Sequence, residues 1–142
     1  MSWWKILGLA AFAGVAASGV VIATPVYKAA YTGVLKTFLD LLPQFGFADK
    51  VVLPLATGGT IAHVLAIDYA LRPVLHALNA RHVVGGLFIL DKLLERAEDG
   101  SLRIENETRK QLESVLSEFL ISVRRYQNAA PAAPPVRSSA AS

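Results

Sequence analysis

From Ile6 to Tyr27 the chain carries no charged side chain, and this run constrains the fold more than any other feature. At about 1.5 Å of rise per residue, some 20 apolar residues in a helix cross a hydrocarbon core of about 30 Å. Trp3 and Trp4 precede the run, and Tyr27 and Tyr31 close it. Amphipathic rings at such positions sit at the two headgroup layers. The expectation is a transmembrane anchor over residues 1–25, longer than the apolar core of a signal peptide. Within it Ala10, Gly14 and Ser18 recur every fourth residue, a small-residue stripe on which another membrane helix packs.

The rest of the chain reads as helical. Residues 26–42 place Val34, Leu35, Phe38, Leu41 and Leu42 on one stripe, with Lys28, Lys36 and Asp40 opposite. Residues 51–79 are apolar but broken by Pro54, Gly58, Gly59 and His63. On an insertion scale, residues 6–24 sum to roughly −2.4 to −4.8 kcal/mol. Residues 51–71 reach roughly −2.7 to −5.4, but Asp68 takes back about 2.5 to 3.5. A buried ion pair between Asp68 and Arg72, four residues apart, is the expectation there. Helices over 83–98 and 106–127 follow. The second carries Leu112, Val115, Leu116, Phe119, Leu120, Val123 and Tyr126 on one side, with Asn106 as its N-cap. Residues 128–142, rich in Ala, Pro and Ser, read as a disordered tail.

Charge follows the same division: residues 1–90 hold nine charged side chains and residues 91–127 hold fifteen. A net charge of +3, dispersed along the chain, gives no clustered footprint for nucleic acid. There is no cysteine, so no disulfide framework and no thiolate chemistry. His63, His76 and His82 lack the i, i+4 spacing that puts two imidazoles on one helix face, so no metal site is assigned.

One motif carries chemistry. Leu55-Ala-Thr57-Gly-Gly-Thr60-Ile-Ala62 resembles the LATGGTIA signature of bacterial-type asparaginases, and the resemblance implies a Thr nucleophile, with Thr60 as the candidate. It covers about eight residues, Pro54 departs from the pattern, and the family's second Thr-Asp and Lys constellation is absent. The residues themselves favour a Gly-Gly junction, with Thr57 or Thr60 capping the following helix.

The sequence reading is therefore an all-α, single-pass membrane protein with a small membrane-associated helical domain, its C-terminal part in the cytoplasm. Its expected function is non-enzymatic, as a structural, assembly or accessory subunit, with no catalytic residue and no cofactor. Expected partners are the lipid bilayer and other membrane proteins or further copies of itself, contacted through Ala10, Gly14, Ser18, Leu112, Leu116, Phe119 and Val123. The alternative is an oligomeric, holin-like pore-former in which 51–71 also inserts.

Overall fold

The structure, a computed structural model, describes residues 17–129. The apolar stretches are strands. β1 (Gly19–Tyr27) and β3 (Val51–Gly58) lie side by side in parallel, with Gly19 opposite Val51 and Pro25 opposite Thr57. A strand buried on both faces reads as a continuous apolar run, because neither set of alternating side chains meets water. Periodicity alone does not separate such a run from a buried helix. β3 shows the consequence: Val51, Val52, Leu53 and Pro54 are all buried in succession.

The main sheet runs β2–β1–β3–β4, with β5 also on β3. β2 (Ala30–Tyr31) folds back antiparallel on the end of β1; β4 (His82–Val83) and β5 (Leu87–Leu90) both run parallel to β3. Between these last two the register slips. Val52 faces Val83 but Leu55 faces Leu87, so one extra residue bulges on the β4–β5 side. The Val52 carbonyl accepts the Val84 N–H, which turns the backbone groups of Val52, Pro54 and Ala56 toward that side. Pro54, which has no N–H to offer, therefore sits at the break in the ladder, where proline is tolerated.

Helices cover both faces. On one, α1 (Gly33–Asp40) and α2 (Arg72–Ala77) bring Leu35, Leu39 and Leu75, with Leu71 just ahead of α2, onto Ile22 and Val52. A π-helical turn, Ile67–Leu71, leads into α2. On the other, α3 (Asn106–Ala129) lays Phe119, Val115, Leu116 and Val123 over Val51 and Leu53. A small hairpin, β6 (Leu94–Arg96) with β7 (Leu102–Ile104), connects β5 to α3.

The all-α expectation is thus corrected to α/β. Residues 19–24, assigned to an anchor, are the first described strand; Ala10, Gly14, Trp3 and Trp4 lie outside the described residues. Among those described, no helix is long and apolar enough to cross a membrane. The single-pass membrane assignment, and with it the orientation and the inserted 51–71 of the pore-former, loses its basis. Ser18 leads into β1, its carbonyl accepting from Val51 N–H and its hydroxyl from Gln127. Tyr27 and Tyr31 flank a hairpin turn rather than a bilayer boundary. Of the expected helix over 26–42, only Gly33–Asp40 is helical, and 83–98 holds strands and one 3-10 turn.

Candidate active site

In open parallel sheets, ligands bind in the crevice outside the carboxyl ends of the strands. In this molecule three segments meet that description: the turn after β1, the glycine turn after β3 and Asp91 after β5.

The turn after β1 is strained. Lys28 and Ala29 both have positive φ, 52° and 65°, as a two-residue hairpin turn of the primed kind requires. Neither is glycine, so each pays the left-handed penalty, and such strain persists only where the surroundings hold it. Thr24 does so. Its hydroxyl is buried, donates to the Pro25 carbonyl (2.9 Å) and accepts the Thr32 N–H (3.2 Å) across the hairpin. Thr32 in turn caps α1, its Oγ1 accepting from Leu35 N–H at 3.2 Å. Strand, hairpin and helix are clipped together by two hydroxyls.

The turn after β3 is Gly58-Gly59-Thr60. A Cβ on Gly58 would lie 2.8 Å from Phe88 Cζ, so glycine lets the Phe88 ring seat beneath the turn. Gly59 differs: a Cβ there would approach only Asp91 Oδ2, at 3.9 Å. The Gly59 backbone thus lies open, with the Asp91 carboxylate beside it. Thr60 caps the 3-10 turn Ile61–His63, its Oγ1 accepting from Ala62 N–H at 3.2 Å.

The site therefore offers backbone groups at two strand ends, one cation (Lys28), one carboxylate (Asp91) and exposed apolar surface from Tyr27 and Ile61.

The comparisons decide the family. The model of the NADPH-dependent FMN reductases matches residues 14–95, more than half the chain. The chain belongs to this family. An FMN reductase (NADPH) of Escherichia coli is 64% identical over 75 residues, covering 53% of this chain and 39% of that protein. One from Pseudomonas putida is 56% identical over 82 residues, covering 58% and 42%. Among solved structures, an NADH:FMN oxidoreductase superposes with TM-score 0.69 at 47% identity, covering 82% of this chain and 59% of that one. The chain thus spans about two fifths of the curated relatives it matches. The fold is the flavodoxin-like α/β fold with a parallel sheet. Membership in an enzyme family overturns the expectation of a non-enzymatic membrane subunit or pore-former, and the asparaginase resemblance stays confined to its eight residues.

The residues singled out from sequence are scattered. Asp68 and Arg72 do form an ion pair, Nε to Oδ1 at 2.7 Å, but the Asp68 side chain is 56% exposed, so the pair is not buried. Arg72 also donates to the Val83 and Val84 carbonyls, tying α2 to the bulge. Leu116, Phe119 and Val123 face the sheet, and Leu112 is half-buried on the same helix. None of them belongs to the turns after β1, β3 or β5. The residues missed are Thr24, Lys28, Ala29 and Asp91. Of the site only the glycine pair left a signal, since paired glycines after an apolar run mark a turn junction.

Proposed function

We propose that this chain takes part in flavin reduction, holding FMN at the carboxyl ends of β1 and β3 while a reduced nicotinamide nucleotide delivers a hydride. The reading is supported by family membership and by the names of the relatives, which are FMN reductases using NADPH or NADH. The observation that carries it is the open Gly59 backbone facing Asp91, beside a hairpin held rigid by Thr24. Bound FMN supplies the ring that accepts two electrons. The chain's part is to position it: the Gly58–Thr60 turn lets a planar group approach main-chain atoms, as glycine allows. The strained Tyr27–Ala30 turn fixes a second wall, and Lys28 offers a positive charge to an anionic substituent. Exposed Tyr27 and Ile61 give apolar surface that excludes water from one side of the ring.

The test is FMN titration of the purified full chain, read by quenching of flavin fluorescence, alongside NADPH and NADH oxidation with FMN present. Gly59→Val places a branched side chain where the backbone is now open. It should weaken FMN binding at least tenfold and leave the unfolding midpoint nearly unchanged, because a Cβ at this position would meet only Asp91 Oδ2. A wild-type chain that does not bind FMN, or a Gly59→Val variant that binds it equally well, would overturn the proposal.

A further inference from the structure

Near its carboxyl end the central strand β3 carries two of the smallest residues on one face, Ala56 and Gly58, both buried. Glycine inside a strand weakens it and marks a place where something approaches the backbone closely. Here a ring approaches. A Cβ on Gly58 would lie 2.8 Å from Phe88 Cζ and 3.3 Å from Phe88 Cε2, with Val26 Cβ of the neighbouring β1 at 3.6 Å. Phe88 packs against the buried cluster of Val26, Ala56, Ala66 and Ile67.

The register puts Phe88 there. Val52 stands opposite Val83, and a regular ladder would carry on to set Leu87 opposite Ala56. The extra residue of the bulge sets Phe88 opposite Ala56 instead, and Leu90 opposite Gly58. Successive side chains of a strand point to opposite faces, so a one-residue slip would turn Phe88 to the far side of the sheet. Arg72 holds the bulge, donating to the Val83 and Val84 carbonyls at 3.4 and 3.2 Å.

Both walls of the candidate site rest on this ring. Gly58 and Gly59 have no side chains with which to anchor their own turn, and a Cβ on Gly59 would meet only Asp91 Oδ2. Thr60 is exposed and bonds forward, to Ala62 N–H. The turn is therefore supported from below, by Phe88. Val26, in the same cluster, stands two residues ahead of Lys28, where the strained hairpin begins its left-handed turn.

We infer that Phe88 is a positioning residue for the flavin: its ring sets the height of the Gly58–Thr60 turn above the sheet and, through the Val26 cluster, the gap from that turn to the β1 hairpin. The inference rests on the FMN reading given above. Phe88 acts through the main chain it carries. Interiors are close-packed, so volume emptied beneath the turn is taken up by whatever bounding segment moves most freely, and here that segment is two glycines.

The test uses the purified full chain, with FMN affinity read by quenching of flavin fluorescence and unfolding midpoints read by circular dichroism without FMN. Phe88→Leu should weaken FMN binding about tenfold, since a site must hold its partner within about 0.5 Å of the productive geometry. Gly58→Ala puts a methyl where the ring tip lies, so ring or turn must shift, and it should weaken binding to a similar extent. Combining the two lets the methyl fill the space the ring tip has left, and affinity should return to within about twofold of wild type. If Phe88→Leu does not fold, Phe88→Met, which keeps more of the volume, is measured alone and with Gly58→Ala in the same way. A residue that only fills the core would lower the midpoint on substitution and leave FMN affinity at the wild-type value. That result, or a double variant binding no better than the weaker single, would overturn the inference. A wild type that binds no FMN overturns the FMN reading and this one with it, so the wild-type titration tells the two failures apart.

Discussion

The same substitution, glycine to alanine, should have opposite signs at two positions of this chain. At Gly86, just before β5, an added Cβ would lie 2.7 Å from the Pro54 carbonyl oxygen, 3.1 Å from Pro54 Cγ and 3.2 Å from Ile67 Cδ1. The first contact is with main chain of a strand held on both sides, so nothing there rotates away. Overpacking of this kind costs about 1–3 kcal/mol. Lower entropy of the unfolded chain returns about 0.4–1 kcal/mol, so the middle of the two ranges leaves Gly86→Ala about 1.3 kcal/mol less stable. At Gly33, the first residue of α1, nothing lies within 4 Å of the added Cβ. Only the entropic gain remains, and Gly33→Ala should be about 0.4–1 kcal/mol more stable. For a domain of this size, 1 kcal/mol moves the midpoint by about 4 °C. Thermal unfolding by circular dichroism should place Gly86→Ala about 5 °C below wild type and Gly33→Ala about 2–4 °C above. A Gly86→Ala variant as stable as wild type would refute the close approach of β5 to Pro54, and with it the bulge between β4 and β5.

Thr24→Val leaves the half-buried Thr32 N–H without its acceptor; it should cost about 1 kcal/mol or more in urea unfolding and weaken FMN binding, because the hairpin loses its clip. Phe119→Ala removes the ring that α3 seats on Val51 and Leu53 and should cost about 3–5 kcal/mol, measured the same way. Glu105 accepts from the Glu107 and Thr108 N–H groups, at 3.0 and 2.8 Å, and these bonds hold its carboxyl below the ordinary 4.5. Its folded pKa being the lower, the cap contributes fully above pH 4.5 and is lost as pH falls through the folded value. Urea midpoints across pH 3–6 should therefore fall less steeply toward acid for Glu105→Gln than for wild type. Tyr126 runs the other way. Its hydroxyl donates to Asp49 at 2.8 Å, which raises its pKa above 10, so that contribution is present below pH 10 and lost as pH rises through the folded value.

The amphipathic helix is legible in the sequence and the sheet is not, for one physical reason. α3 has water on one side, so Leu112, Val115, Leu116, Phe119, Val123 and Tyr126 stand out against charged neighbours. Leu120 breaks that pattern, at 54% exposed. Its cap is one residue earlier than the sequence implies: Glu105, not Asn106, accepts from the first turn. β1 and β3 have the opposite problem. Both faces of β3 are buried, so helical and extended readings predict the same unbroken apolar run there; β1 alternates buried and exposed residues but is uncharged throughout, and the length of the uncharged run from Ile6 to Tyr27 reads as a span. The discriminating marks were local: β-branched Val51-Val52 and Val20-Val21-Ile22, and a proline in each run. Pro25 and Pro54 argue against a continuous helix more strongly than the lack of charge argues for a membrane.

The candidate site was illegible for a related reason. None of its residues is chemically conspicuous, and each acquires its role from where the sheet puts it. Lys28 and Ala29 show nothing in sequence of the left-handed backbone they adopt, since the usual Asn-Gly of such a turn is absent. Asp91 lies 32 positions from Gly59 and meets it only because β5 and β3 run parallel and end together, Leu90 opposite Gly58. A parallel sheet collects on one edge loops that are distant in the chain. With β1, β3 and β5 recognised as strands, the same topology that hid the site specifies it, because the turns at their carboxyl ends are then neighbours by construction.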